Sequence, residues 1–122
     1  CDWSSDVCSS DLAGSAVDPR FSTWFDALDY MCGECEKIDF DIALLGCGSY
    51  GYPLAAHIKK MGKQAIHLGG CLQILFGLKG RRWDEEEPDI VAMYNDYWHY
   101  PMASEVPKGS GDVEGGTYWK KE

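Results

Sequence analysis

The stretch FDIALLGCGSYGYPLAAHIKKMGKQAIHLGG, residues 40–70, decides the fold of this chain. It opens with the apolar run 42–45, which is typical of a parallel strand buried on both faces. Pro53 suits the first position of a helix, and apolar residues recur after it at helical spacing. Gly62 is placed to end that helix, and 63–68 has the pattern of a second strand. The stretch therefore predicts a β-α-β unit.

Three glycines, Gly46, Gly48 and Gly51, follow the first strand with the spacing G-x-G-x-x-G. Between a strand and a helix this spacing is the fingerprint of a dinucleotide site, because the bend presents backbone amides to a phosphate. An NAD-binding unit normally ends its second strand in Asp or Glu, whereas this one ends in His67 and Leu68. Two interpretations stay open. The bend holds a phosphate-bearing ligand, or the glycines serve only close packing of the helix on the strand.

The predicted ligand site joins the bend to the end of the second strand and to the basic segment KGRRW, residues 79–83. Arginine pairs well with phosphate through its planar fork, although a solvated loop is the alternative for this segment. A short apolar helix over 71–76 would bring a second helix N-terminus to the same sheet edge. The predicted ligand-binding residues are Gly46, Cys47, Gly48, Ser49, Tyr50, Gly51, His67, Gly69, Gly70, Arg81 and Arg82.

Composition restricts the class of protein. The formal net charge is −9, which argues against a nucleic-acid-binding surface. No apolar run approaches the roughly 18 residues of a membrane span. Residues 1–12, CDWSSDVCSSDL, resemble a translated sequencing adapter, and the chain does not begin with Met. We therefore expect a fragment that lacks its N-terminal portion, with one Rossmann-like domain over 13–119 and a frayed tail over 120–122.

The predicted fold class is α/β, a partial Rossmann-like parallel sheet with flanking helices. An amphipathic helix is expected over 21–36, with an apolar stripe that includes Phe25, Met31 and Cys35. The pair Cys32 and Cys35 lies near the end of this helix. Small buried side chains are the better account of it than a redox pair or zinc ligands. Because the cysteines form no dense framework, the chain suits a reducing, cytoplasmic compartment.

The second half of the chain has weaker signals. Carboxylates at 84–87 precede Pro88 and predict the start of a helix over 89–98. The aromatic residues of YNDYW, 94–98, suit either a sugar or base site or the core. From Pro101 onward an irregular tail is expected, with Thr117–Trp119 docking back onto the domain.

Candidate catalytic residues are few. His67 lies near the carboxyl end of the second strand, where it could hydrogen-bond a phosphate or act as an acid. Cys47 lies at a helix N-terminus, a setting that can lower a thiol pKa. The pair Asp39 and Asp41 resembles the D-x-D of metal-dependent glycosyltransferases, but it precedes the strand, where ligands do not bind. No metal site is visible, and the chain lacks a P-loop pattern.

The segments quoted above, together with LFGLKGRRW and VEGGTYW, resemble an uncharacterised bacterial family from surface-polysaccharide gene clusters. The resemblance covers about residues 24–119. The strand-glycine-helix-strand order, ending in AIHLGG, is also similar to glycosyltransferases of the GT-D fold. This likeness implies a nucleotide-sugar donor whose diphosphate lies near Gly46, Gly48 and Gly51, with His67 beside it. It also implies an acidic D-x-E motif, which nothing in this chain matches, so the activity of the fragment stays open.

Three hypotheses about function follow. The first is a glycosyltransferase that uses a nucleotide sugar and a glycan acceptor, with the glycine bend and Arg81 and Arg82 around the diphosphate. The second is an NAD(P)-type Rossmann enzyme of sugar modification. The third is a non-catalytic binding or assembly module that keeps the same core without a phosphate.

Overall fold

The computed structural model describes residues 20–106, 110–112 and 114–119. It is a mixed α/β structure with a two-stranded parallel sheet and flanking helices, so the predicted α/β class is confirmed. The chain divides into two compact units. The described residues up to Leu72 form the first unit, and those from Gln73 onward form the second. The expectations for residues 1–12 and 120–122 lie outside the described residues.

The first unit contains the predicted β-α-β arrangement. Strands β1 (Ile42–Leu45) and β2 (Gln64–His67) pair in parallel, with Leu45 opposite His67 at their carboxyl ends. Helix α2 (Gly51–Lys60) connects them and packs against both strands. The Leu68 amide extends the ladder by donating to the carbonyl oxygen of Leu45 at 2.8 Å.

Helix α2 begins two residues before Pro53, so the expected first helical position is wrong. The chain turns immediately after β1 through a 3-10 turn, Gly48–Tyr50, which leads directly into the helix. Gly48 has φ +52°, a left-handed conformation that glycine adopts without steric cost. The predicted end is confirmed, because Gly62 follows the helix with φ +81°.

Helix α1 (Trp24–Glu36) starts three residues after the predicted Phe21. Its start is set by a capping box, in which the Thr23 hydroxyl accepts from the Asp26 amide and the Asp26 carboxylate accepts from the Thr23 amide. Met31 and Cys35 of the expected stripe are buried, whereas Phe25 is 68% exposed and does not belong to it.

The core of this unit lies between α1, α2 and one face of the sheet. Leu54 and Ile58 of α2 are fully buried there. On the opposite sheet face the apolar side chains are about half exposed: Ile42 50%, Leu44 44% and Ile66 48%. The expectation that β1 is buried on both faces is therefore wrong, because the helices of this unit cover only one face.

The amino ends of the two strands are joined by Lys63. Its ammonium donates to the Phe40 carbonyl oxygen at 2.6 Å and to the Asp39 carboxylate at 3.1 Å. It also lies 4.6 Å from the centre of the Phe40 ring. Asp39 thus has a partner at the amino ends of the strands, opposite the glycine bend.

The second unit is built from short helices. Helix α3 (Leu72–Leu75) spans the boundary between the units, and α4 (Arg81–Glu86) and α5 (Pro88–Val91) follow. The predicted start at Pro88 is confirmed, but the helix expected over 89–98 ends after Val91. After Val91 the amides of Met93 and Tyr94 donate to carbonyls three residues back, as in a turn. Farther along, the Tyr97 amide donates to the Asn95 side chain at 2.9 Å in an Asx turn. The expected short helix 71–76 is shortened to α3.

The C-terminal segment packs onto the start of α4. The amides of Arg81 and Arg82 donate to the carbonyl oxygens of Trp119 and Thr117 at 3.0 and 2.8 Å. Helix amides at this position have no partner within the helix, so the segment caps α4. The predicted docking of Thr117–Trp119 is confirmed. None of the helices in the described part of the chain is long and apolar enough to cross a membrane.

Candidate functional site

The carboxyl ends of β1 and β2 lie side by side, and each is followed by a glycine turn. Gly48 and Gly69 both have positive φ, +52° and +57°, and both begin a 3-10 turn that leads into a helix. Gly46, just before the first turn, lies close to the second, because a Cβ added to Gly46 would lie 3.1 Å from the Gly69 carbonyl oxygen. The structure thus brings together the predicted residues of the bend with His67, Gly69 and Gly70.

The first turn is held by two internal backbone hydrogen bonds, and only part of it is exposed. The amide of Tyr50 donates to the Cys47 carbonyl oxygen at 3.1 Å, and the Gly51 amide donates to the Gly48 carbonyl oxygen. The side chains of Cys47 and Tyr50 are buried, 5% and 1% exposed. Gly48 and Ser49 form an exposed tip. A ligand at this turn would therefore meet the tip, and burial keeps the Cys47 thiol from the reactive role considered above.

Helix α1 anchors this turn. The Trp24 indole N–H donates to the Ser49 hydroxyl at 3.2 Å. The Trp24 ring also lies parallel to the Tyr50 ring, with centroids 4.8 Å apart and an interplanar angle of 7°. A tryptophan in the first turn of α1 thus holds the middle and the last residue of the 3-10 turn, a contact that the sequence pattern did not reveal.

The His67 ring lies directly over Gly51. A Cβ on Gly51 would fall 2.2 to 2.6 Å from three atoms of the imidazole, far inside van der Waals contact. The His67 Nδ1 lies 3.2 Å from the Leu45 carbonyl oxygen, and because a carbonyl only accepts, Nδ1 carries the proton in this contact. The remaining nitrogen, Nε2, is an acceptor in the neutral ring, and it donates to a phosphate oxygen only when the ring is an imidazolium.

Tyr52 was not predicted as a site residue, yet it stands at this edge. Its side chain is 78% exposed, and its ring meets the edge of the His67 ring at 5.2 Å with an interplanar angle of 68°. The only sequence signal was an aromatic residue directly after the third glycine. The edge therefore combines a backbone turn, an oriented imidazole and an exposed aromatic ring.

Packing accounts for two of the three fingerprint glycines. Gly51 gives room to His67, and a Cβ on Gly46 would lie 2.7 Å from the Leu72 side chain. The remaining glycine, Gly48, has the left-handed φ that favours glycine. The interpretation that the glycines serve close packing thus has direct support at Gly46 and Gly51.

Arg81 and Arg82 belong to the second unit, where both contact the C-terminal segment. The Arg81 guanidinium donates to the Gly115 carbonyl oxygen at 2.6 Å. The Arg82 guanidinium lies 3.4 Å from the Tyr118 hydroxyl and 3.7 Å from the Glu86 carboxylate. The basic segment is therefore not a solvated loop, because its two arginines contact the C-terminal segment.

The aromatic segment of the second unit forms a hydrogen-bonded cluster. The hydroxyls of Tyr94 and Tyr100 donate to the two carboxylate oxygens of Asp84, at 3.0 and 2.7 Å. Lys79 places its ammonium 4.9 and 5.7 Å from the centres of the same two rings. Burial, followed by the bond to Asp84, raises the pKa of Tyr94 well above its usual range. These groups satisfy one another, and Tyr94 and Tyr100 are half-buried.

The Cys32 and Cys35 thiols do not have the properties of a redox pair. Burial raises the pKa of both, and the nearby carboxylate of Asp29 raises that of Cys32 further. A redox thiol needs the opposite shift. Across residues 20–106, 110–112 and 114–119, no cluster of three or more His, Cys, Asp or Glu side chains is arranged to hold a metal ion.

Comparisons of the chain with protein-family models, with curated proteins and with solved structures gave no match.

Proposed function

We propose that this chain is part of a Rossmann-like glycosyltransferase of surface-polysaccharide biosynthesis that uses a nucleotide-sugar donor and a glycan acceptor. One observation carries the proposal. Two parallel strands end in register, and each continues into a glycine turn that starts a helix. Ligands of open α/β sheets bind beyond the carboxyl ends of the strands, at such an edge.

The donor diphosphate is proposed to lie against the exposed tip Gly48–Ser49, where the backbone can approach an oxygen closely. His67 Nε2 and the second turn, Gly69 and Gly70, would border the same space. Charge develops on the leaving diphosphate during sugar transfer, so donors aimed at it lower the barrier.

The exposed apolar face of the sheet supports a larger Rossmann-like arrangement. Parallel sheets are usually covered on both faces, and Ile42, Leu44 and Ile66 lie half exposed on the uncovered one. Further strands and a second layer of helices would bury them. A cytoplasmic location is part of the same proposal, in keeping with the free cysteines among the described residues.

Nucleotide titration of the full chain tests the proposal. We expect UDP and a UDP-sugar to shift the amide NMR signals of residues 46–51 and of Gly69. Gly48→Glu should abolish the shifts, because a carboxylate at the tip repels a phosphate. Gly48→Gln, with the same size and no charge, should retain part of them.

Gly62→Glu is the matched control for Gly48→Glu. Gly62 also has positive φ, and its position faces open space at the opposite end of α2. It imposes comparable backbone strain without placing charge at the glycine edge. If neither UDP nor any UDP-sugar perturbs residues 46–51 in the unaltered chain, the donor-binding proposal is rejected.

A non-catalytic binding or assembly module is the second candidate, and the contacts of Gly46 and Gly51 favour it. These glycines would then exist for packing, and the turn would take no phosphate. Absence of any nucleotide effect, with unchanged biological function after Gly48→Glu, would support this module. Tight binding of NAD(P) instead of UDP-sugars would support the dinucleotide-dependent Rossmann enzyme.

A further inference from the structure

Tyr52 is an exposed aromatic ring held in a defined position. Its side chain is 78% exposed, although the unit has a core into which aromatic rings such as Tyr50 pack. The Tyr52 ring rests against the imidazole of His67, which in turn is bonded to the last carbonyl of β1. The ring is therefore supported on one side while its remaining surface faces solvent.

Gly51 makes this support possible. Any side chain at Gly51 would occupy the place of the His67 ring, at 2.2 to 2.6 Å from its atoms. The third glycine thus lets the imidazole lie against the start of α2, next to the ring of the following residue. This contact accounts for the glycine by a role other than phosphate approach.

We infer that Tyr52 is the platform on which the nucleobase of a bound nucleotide stacks. The inference rests on the proposed function and specifies which part of the ligand Tyr52 recognises. Tyr52 follows Gly48 by four residues, about one helical turn along the chain, so its ring lies near the proposed diphosphate position. Tyrosine supplies a large flat surface with little conformational entropy to lose, which suits stacking on a planar base.

Stacking makes a prediction that phosphate binding does not. Removing an aromatic platform costs roughly 5- to 100-fold in affinity for a ligand that carries a base. A ligand without a base should be unaffected. The two ligands to compare are UDP and inorganic pyrophosphate, titrated separately into the same protein samples.

The experiment compares the full chain with Tyr52→Ala, Tyr52→Phe and Tyr97→Ala by calorimetric titration. Tyr97, 88% exposed in the second unit, is the matched control for loss of an exposed tyrosine. We expect Tyr52→Ala to weaken UDP binding by about 5- to 100-fold and to leave pyrophosphate binding unchanged. Tyr52→Phe should stay within about twofold of the unaltered chain, since the ring is kept. The uracil protons should shift upfield on binding, except with Tyr52→Ala.

The outcomes distinguish a failure of the Tyr52 inference from a failure of the proposed function. Binding of UDP that Tyr52→Ala does not weaken, or an equal loss of UDP and pyrophosphate affinity, overturns the platform and leaves the donor site standing. Failure of the unaltered chain to bind either ligand overturns both proposals. Thermal unfolding of each variant shows whether a loss of binding comes from a loss of folding.

Discussion

Replacing Gly51 with alanine tests whether the His67 ring decides the identity of the third glycine. The added Cβ would lie 2.2 Å from the ring, more than 1 Å inside the 3.4 Å at which ordinary contact begins. The backbone at Gly51 is helical, with φ −57° and ψ −46°, so alanine fits the main chain. The nearest atoms in conflict all belong to the side chain of His67.

The expected cost follows from two opposing terms. Overpacking typically costs about 1–3 kcal/mol, here through displacement of the imidazole from the Leu45 carbonyl and from the Tyr52 ring. Alanine recovers up to about 1 kcal/mol of helix preference over glycine. With the helix preference fully recovered, Gly51→Ala should thus lower the free energy of unfolding by about 0–2 kcal/mol.

A double-mutant cycle with His67→Ala supplies the decisive comparison. Without the imidazole the Cβ has room, so Gly51→Ala should become neutral or stabilising by up to about 1 kcal/mol. Urea unfolding followed by circular dichroism measures all four free energies. The reasoning is refuted if Gly51→Ala destabilises the chain equally in both backgrounds.

Three further predictions concern groups outside the glycine edge. Lys63→Met should lower the free energy of unfolding by about 1–2 kcal/mol, because a charged donor to the strand ends is lost. Asp84→Asn should bring the pKa of Tyr94 down toward its usual value, seen as tyrosinate absorbance at lower pH. Above about pH 10 the Tyr94 phenol ionises in the unfolded chain but stays protonated in the folded one, so the free energy of unfolding should fall as the pH rises. This fall should be smaller in Asp84→Asn. Exposed Cys71 should react with iodoacetamide before Cys35, which is buried and has a raised pKa.

The Lys63 and Asp84 predictions each have a control variant, and the cysteine prediction has an outcome that would contradict it. Lys60→Met removes an exposed lysine of α2 and should change stability by less than about 0.5 kcal/mol. Asp89→Asn removes another carboxylate of the second unit and should leave the tyrosinate titration unchanged. Equal effects of each variant and its control would contradict the assigned contacts. Peptide mapping that shows Cys35 modified first would contradict its burial.

The local sequence was sufficient where the structural cause is local. The spacing of apolar residues predicts β1, α2 and β2, and Gly62 ends α2 because only the backbone around it matters. The order strand-helix-strand also determines that the two strand ends meet at one edge, since parallel pairing follows from the crossover.

Other features depend on residues far apart in the sequence. Beyond Val91, where the helix expected over 89–98 ends, the Tyr94 hydroxyl bonds back to Asp84, ten residues earlier in the chain. Helix α4 has no side-chain cap of its own. The carbonyls that cap it come from Thr117 and Trp119, so neither its start nor the role of Arg81 could be read from neighbouring residues.

The fingerprint glycines separate what the local sequence determines from what the tertiary structure decides. Their spacing after an apolar run determined that the chain would bend there, because turning from a strand into a helix so quickly restricts the backbone. Only the tertiary structure decided what each glycine makes room for: Leu72 at Gly46 and His67 at Gly51. A glycine pattern indicates positions where a side chain would not fit. The residue that fills the space beside each glycine is set by packing between distant parts of the chain.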